Sequence, residues 1–309
     1  MDKLFSVAQV IAPILIAVTL GVIVRRKEMM TTQEIRGLQQ FVMKIGLPCV
    51  IFNSCLTADI STESLTSMAL VAPFMVLTTL WAFRARHKQF PYHNLPQLFC
   101  SQETGMLGIP LFMILFGASQ AYRMGVLDLA QAVAAYPTVA ILSSSSNQKS
   151  SATQVIKDVL TSPFLIMAAL GLSLNLLGVA HWMNEVGVGP VITDSTTFLG
   201  QPISAMMIFS VGYNFSLAKG NRARIFQIAS LRFAIMTIFG IVVQLILLVI
   251  PNVDAMTRWA LLLYCALPAS YLAPSLGRNE DEYAISSGVC SVLTVSCLII
   301  FCVIASIIA

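Results

Sequence analysis

The chain consists of a succession of long apolar segments with few charges between them. A helix that crosses a bilayer needs about 20 predominantly apolar residues, and ten segments of suitable length can be marked between charged or turn-forming residues. Only 10% of the 309 residues are charged, whereas soluble domains carry about a quarter. The segments lack the dyad alternation of an outer-membrane barrel. The sequence therefore predicts an all-α polytopic membrane protein with ten transmembrane helices.

Basic residues predict the orientation of these spans. Thirteen Lys and Arg residues fall in loops on one side of the predicted bundle and three on the other. Because cytoplasmic loops are enriched in Lys and Arg, the first side is predicted to face the cytoplasm of a plasma or inner membrane, with both termini outside. These loops account for the net charge of +4, so no nucleic-acid partner is expected. The predicted spans cover approximately residues 5–24, 36–56, 65–83, 95–118, 123–143, 163–180, 193–217, 225–250, 257–276 and 283–308.

The longest polar connector divides the chain into two parts of similar length. Residues 144–162 form a predicted cytoplasmic connector between a first half, residues 1–143, and a second half, residues 163–309. Each half contains five predicted spans. Because an odd number of spans inserts the two halves in opposite orientations, any structural repeat between them must be inverted.

Proline positions support such a repeat. Pro48 in the second span and Pro202 near the start of the seventh are 154 residues apart. Pro110 in the fourth span and Pro268 in the ninth are 158 residues apart. The similar offsets agree with the division into halves and favour an inverted 5+5 repeat.

Helix-breaking residues concentrate in the fourth and ninth spans. The fourth contains Gly105, Gly108 and Pro110, and the ninth contains Pro268 and Pro274. Proline has no amide proton, and its ring collides with the preceding helical turn. At membrane depth, irregular backbone is tolerated only where it faces protein or water. Two interruptions at matching places in inverted halves therefore predict a solute site near the membrane midplane.

Two acidic residues lie within the predicted spans. Glu103 could take up a proton and couple transport to proton movement, could help to hold Na⁺, or could pair with Lys44 or Arg232. The long stem of Arg232 favours a structural role in which its charge reaches toward the cytoplasm. Asp128, with Gln131 on the same helix face, could be solvated at the interface or could belong to the transport machinery.

The second halves of the interrupted helices are predicted to begin near Gly108–Pro110 and Pro268–Ser270. A helix N-terminus carries about half a positive charge, so these amides are a predicted cradle for a carboxylate. No cofactor or metal site is expected beyond H⁺ or Na⁺ as a coupling ion. The predicted substrate and ion site comprises Glu103, Thr104, Gly105, Gly108, Pro110, Asn53, Ser54, Asp128, Pro268, Ala269, Ser270 and Tyr271.

Several stretches resemble the auxin efflux carrier family of membrane transport proteins, which includes plant PIN carriers and bacterial malate and malonate permeases. They include IGLPCVIFNSC at 45–55, ETGMLGIPLFMILFGAS at 103–119, MMIFSVGYNFSL at 206–217, and ALPAS in the ninth span. The GIPL, FGAS and ALP elements within them are the most specific. The family's usual Asn aligns with Glu103 here. This departure places a titratable acid where the family has a neutral amide.

The resemblance implies ten helices in an inverted 5+5 repeat, with broken fourth and ninth helices that cross. It also implies a scaffold of spans 1, 2, 6 and 7, a transport unit of spans 3–5 and 8–10, elevator-like movement and a possible homodimer formed through the scaffold.

The leading functional expectation is a secondary transporter of small organic anions, such as malate, malonate or auxin-like acids, in the lipid bilayer. Alternatives are a Na⁺-coupled symporter of the bile-acid-transporter type and a passive channel. The sequence has no HExxH, serine-elbow or GxGD-type motif, which disfavours an intramembrane enzyme, and no Walker A motif for ATP-driven pumping.

Overall fold

The computed structural model describes residues 2–58, 62–144, 157, 161–215, 222–250 and 253–308. Regular structure in these residues is helical, apart from one isolated β-bridge, so the predicted all-α class is confirmed. The α-helices are α1 Asp2–Arg26, α2 Thr32–Leu56, α3 Thr62–Lys88, α4 Leu95–Cys100, α5 Thr104–Phe116, α6 Ala121–Ser144, α7 Pro163–Leu176, α8 Val179–Glu185, α9 Val188–Gly200, α10 Ile203–Asn214, α11 Arg222–Val249, α12 Ala255–Ala266 and α13 Glu280–Ile308. The predicted connector 144–162 lies mostly outside the described residues.

Helix length and composition suit a membrane protein. Among the described residues, four helices are long and apolar enough to cross a membrane: α2, α3, α11 and α13. The shorter helices α5 and α7 are also apolar. Large apolar side chains are exposed on the outer surface, including Phe198, Leu245, Leu248 and Ile299. Such exposed apolar surface is compatible with a lipid environment.

The seventh predicted span is divided, which the sequence analysis did not anticipate. Helix α9 ends at Gly200 and α10 begins at Ile203, with Gln201 and Pro202 between them. Proline cannot donate a backbone hydrogen bond and disturbs the preceding turn, and Pro202 is the residue immediately before α10. The single helix predicted for residues 193–217 was therefore wrong in its continuity.

The main helix–helix contacts connect the two predicted halves as well as neighbouring helices within each half. Helix α1 packs mainly against α10, and α2 packs mainly against α7. Likewise, α3 packs against α6 and α4, while α11 packs against α13 and α12. If predicted spans 1–5 are matched in order with predicted spans 6–10, span 1 matches span 6 and span 2 matches span 7. The contact of span 1 with span 7 then corresponds to the contact of span 6 with span 2. Contacts of span 3 with spans 4 and 5 correspond to contacts of span 8 with spans 9 and 10.

Two glycines allow the backbones of α1 and α10 to touch. A Cβ atom added at Gly212 would lie 2.1 Å from the Val18 carbonyl oxygen, and one added at Gly21 would lie 2.2 Å from the Phe209 carbonyl oxygen. Both obstructing atoms belong to the backbone, so they cannot move aside as a flexible side chain would. Close contact of this kind between apolar helices requires a residue without a side chain.

We expect Gly212→Ala to destabilise the protein, because the added methyl group must separate α1 from α10. Overpacking of this kind costs about 1–3 kcal/mol. The measurement is the thermal unfolding midpoint of the purified protein in detergent. Gly37→Ala is the matched control, because an added Cβ at Gly37 meets no atom within 4 Å. Equal midpoints for the two variants would show that the α1–α10 contact tolerates separation.

Candidate functional site

The interruptions of the fourth and ninth predicted spans meet in space. Helix α4 ends at Cys100, and α5 begins after an irregular segment, residues 101–103. Helix α12 ends at Ala266 and is followed by a second non-helical segment, residues 267–272. Gln102 and Ala269 form an antiparallel bridge between the two segments. The paired segments 101–103 and 267–272 are called the crossing below.

A second contact fixes the register of the crossing. The Glu103 N–H group donates to the Pro268 carbonyl oxygen over 2.9 Å. Pro268 has no N–H group of its own, but its carbonyl remains available to pair with the opposite segment. The predicted site residues Glu103, Pro268 and Ala269 are therefore brought together.

The interruption of the fourth span lies earlier than the sequence analysis predicted. The second half of this span begins with a π-helical turn at Thr104, and its α-helical part begins at Ile109, near the predicted start at Gly108–Pro110. Residues Thr104–Gly108 form a π-helical turn, in which the Gly108 N–H group donates to the Glu103 carbonyl oxygen over 3.0 Å. The wider turn accommodates the proline that follows, so the helix continues through Pro110. The predicted start near Gly108–Pro110 therefore agrees with the α-helical part, and the π-helical turn before it was not predicted.

The carboxylate of Glu103 accepts hydrogen bonds from backbone N–H groups of both interrupted spans. One oxygen accepts from the Tyr271 N–H group over 2.7 Å, and the other accepts from the Met106 N–H group over 3.4 Å. Glu103 is the N-cap residue of the segment that begins at Thr104, and its side chain is 9% exposed. A negative charge is favoured at a helix N-terminus. The protein's own carboxylate thus bonds to amides of the kind that the sequence analysis assigned to a substrate.

Arg232 stabilises the opposite end of the interruption. Its guanidinium donates to the carbonyl oxygens of Leu98 and Ser101 and to the side-chain oxygen of Gln102. The last carbonyl groups of a helix have no partner within that helix, and Arg232 supplies donors to those at the end of α4. The residue is 1% exposed, so the expectation that its charge reaches toward the cytoplasm was wrong.

Glu103 has no cationic partner in the described part of the chain. All its side-chain hydrogen bonds come from backbone N–H groups. The donors of Arg232 bond to oxygens of Leu98, Ser101 and Gln102. Lys44 is exposed in a π-helical turn of α2. Neither of the ion pairs considered for Glu103 is present among these residues.

Asp128 lies in a polar network beside the crossing. It accepts hydrogen bonds from the Thr104 hydroxyl and from the Gln131 amide, the latter over 2.8 Å. The Gln131 side-chain oxygen accepts from the Gln102 N–H group over 2.7 Å and from the Tyr264 hydroxyl over 2.8 Å. Asp128 is therefore held by protein groups. Gln102 and Tyr264 were not anticipated, because a neutral polar residue inside an apolar segment gives no distinctive sequence signal.

Asn53 and Ser54 contact other parts of the molecule. The Ser54 hydroxyl donates to the Ser119 carbonyl oxygen over 2.9 Å and accepts from the Tyr122 N–H group over 2.6 Å. The Asn53 amide donates to the Thr193 carbonyl oxygen over 3.2 Å. Ser54 thus positions the turn before α6, and Asn53 joins α2 to α9. The structure does not bring either residue to the crossing.

A cavity of about 630 Å³ extends from the crossing. Glu103, Ser270 and Tyr271 form part of its wall, together with Arg25 and Arg36 from the first two helices. Pockets that hold small organic molecules measure about 300–1,000 Å³, so this cavity is large enough for such a solute. Three of the predicted site residues therefore line the cavity.

The remaining predicted residues of the fourth span lie behind this wall. Thr104 is 1% exposed and donates to Asp128. The Pro110 carbonyl oxygen accepts from the Ser204 hydroxyl over 3.3 Å, which joins α5 to α10. An added Cβ at Gly105 would lie 3.4 Å from the Met43 side chain, which is an ordinary contact. These three residues are not part of the cavity wall.

The chemistry of the site comes from carboxylate, guanidinium, hydroxyl and backbone groups. Among the described residues, no group of three or more His, Cys, Asp or Glu side chains is arranged to hold a metal ion. Neither a scan against protein-family models nor a search of curated proteins gives a match for the chain.

Proposed function

We propose that the chain is a secondary active transporter of small organic anions, similar to the auxin efflux carrier family. The observation that carries the proposal is the cavity that ends at the paired interruptions of two broken helices. Discontinuous helices of this kind form the solute sites of many secondary transporters. Arg25 and Arg36 supply positive charge along the cavity wall, which favours the entry of anions.

The proposed transport mechanism is elevator-type alternating access in a ten-span, inverted 5+5 topology. The scaffold would comprise α1, α2 and α7–α10, and the transport unit would comprise α3–α6 and α11–α13. The matching helix pairs of the two halves support this division. Arg25 and Arg36 belong to the predicted cytoplasmic side, so the cavity would correspond to an inward-open state with both termini outside. Two copies could associate through the scaffold.

Glu103 is the proposed proton carrier. It lines the cavity, and it has no cationic partner in the described part of the chain. An ionisable residue within a membrane protein that is reached by solvent is well placed to exchange a proton. Coupling to Na⁺ through the same carboxylate and passive conduction are the alternatives.

Flux measurements in proteoliposomes test the proposal. The purified protein is supplied with radiolabelled malate, malonate and an indole carboxylate at several pH values, with and without Na⁺. We expect saturable uptake that depends on pH and persists without Na⁺. Uptake that requires Na⁺ would favour the symporter, and non-saturating conductance would favour a channel. Absence of flux for every carboxylate would reject the proposed function.

We expect Gly108→Leu to reduce uptake at least tenfold. An added Cβ would lie 2.7 Å from the end of the Leu267 side chain and 2.9 Å from the end of the Met124 side chain. Both side chains are buried, so a leucine must push them aside and disturb the packing of the ninth-span interruption. Loss of productive geometry commonly costs about 100-fold in rate. Initial uptake rates are compared at equal amounts of folded protein, with Gly37→Leu as the control. A normal rate for Gly108→Leu would show that the position of the Leu267 segment does not matter for transport.

A further inference from the structure

The cavity offers a negative group at the crossing and positive groups on another wall. The amides of Met106 and Tyr271 already bond to the carboxylate of Glu103. A solute that reaches the crossing therefore meets a carboxylate instead of free amides. We infer that the transported organic acid also carries an ammonium group, as an α-amino acid does, with this group at Glu103 and its carboxylate at Arg36. The inference rests on the proposed transport function.

Glu103 retains capacity to accept hydrogen bonds from an ammonium group. A carboxylate has about four acceptor positions on its two oxygens, and backbone N–H groups use one on each oxygen. An ammonium group supplies three donors and a positive charge, and charge-assisted hydrogen bonds are about twice as strong as neutral ones. The Ser270 hydroxyl lines the same cavity and offers a further acceptor. The crossing is thus complementary to an amine.

The wall formed by α2 offers donors for the carboxylate of the same solute. Arg36 is exposed, lines the cavity and forms no hydrogen bond with the described part of the chain. One turn further on, Gln39 also lines the cavity, and its side-chain nitrogen is buried without a hydrogen-bond partner among these residues. Arg25 adds charge, although its donors bond to the carbonyl oxygens of Tyr213 and Phe215. These donors can bind a carboxylate through a guanidinium and an amide.

A solute with carboxylates alone suits this cavity less well. If one carboxylate binds at Arg36, a second carboxylate at the crossing faces Glu103, and two like charges at short range repel each other. An amino acid carries a group of the complementary charge for each wall. Electrostatic complementarity of this kind gives a binding site its specificity.

Matched pairs of acids, with and without the amine, test the inference. Proteoliposome uptake is measured at neutral pH for L-aspartate against succinate and for L-alanine against propionate. We expect the half-saturation concentration of the amino acid to be at least tenfold lower within one or both pairs. Glu103→Gln should reduce this preference at least fivefold, and Arg36→Gln should weaken uptake of both members of a pair. Glu34→Gln, in an exposed N-cap motif of α2 outside the cavity wall, is the control and should leave the preference unchanged.

The outcomes separate this inference from the proposed function. In both pairs, uptake of the plain acid that equals or exceeds uptake of the matching amino acid would overturn the inference and leave organic-anion transport supported. A preference for amino acids that persists in Glu103→Gln would also overturn it, because another group would then recognise the amine. Absence of uptake for all four acids would overturn both proposals.

Discussion

Replacement of Glu103 by glutamine is expected to abolish the pH dependence of uptake and the accumulation driven by a pH gradient. Glutamine has nearly the same shape, and its oxygen can still accept from the Tyr271 N–H group, which lies 2.7 Å from the native carboxylate. It cannot take up or release a proton in the physiological range. One pH unit corresponds to about 1.4 kcal/mol, or a tenfold concentration ratio for one coupled proton. The native protein should therefore accumulate solute up to about tenfold per pH unit, whereas the variant should only equilibrate it.

The measurement is uptake into proteoliposomes between pH 5 and pH 8, with and without an imposed pH gradient. Glu34→Gln serves as the matched control, because Glu34 is exposed and lies outside the cavity wall. Gel filtration and thermal unfolding establish that both variants are folded. Accumulation by Glu103→Gln at the native level would eliminate Glu103 as the proton carrier.

Replacement of Arg232 by methionine is expected to unfold or strongly destabilise the protein. Arg232 is 1% exposed, and its guanidinium bonds to three oxygens at the end of α4 and the start of the crossing. A buried acceptor without a partner costs about 1–3 kcal/mol, so the loss of three partners costs on the order of 5 kcal/mol. A change of this size should lower the unfolding midpoint by about 10 °C.

Arg222→Met is the matched control on the same helix, because Arg222 is exposed at the first turn of α11. Its unfolding midpoint should change little, since exposed charges contribute about 0–1 kcal/mol. Arg232→Lys should be intermediate, because an ammonium keeps the charge but cannot reproduce the planar guanidinium geometry. A native unfolding midpoint for Arg232→Met would show that the crossing is stable without these donors.

The helical class and the place of Glu103 at a helix interruption could be predicted from the sequence. A carboxylate in an apolar segment is unusual enough to single out this position without any knowledge of the fold. The meeting of two interruptions could also be expected, because proline and glycine recur in the fourth and ninth spans. The exact position of the fourth-span interruption could not be predicted. The sequence shows Pro110, but it does not show the π-helical turn that accommodates this proline.

The partners of the buried charges depend on tertiary structure. Arg232 has the long stem of a residue that can reach an aqueous surface, but the open carbonyl groups at the end of α4 hold it inside. Asn53 and Ser54 follow Pro48 in the sequence. They were predicted to lie in the solute site because a helix kink was expected at this proline. Helix α2 instead continues to Leu56 and directs both residues to other helices. Such differences arise from packing, which the local sequence does not specify.

The cavity beside the crossing is expected to open to one side of the membrane at a time. A Ser270→Cys substitution, in a chain whose seven native cysteines are replaced, places a single thiol in the cavity wall. A membrane-impermeant thiol reagent should label this cysteine from the side of Arg25 and Arg36, and saturating solute should slow the labelling. Labelling at equal rates from both sides, or at a rate that solute does not change, would contradict a solute site at the crossing.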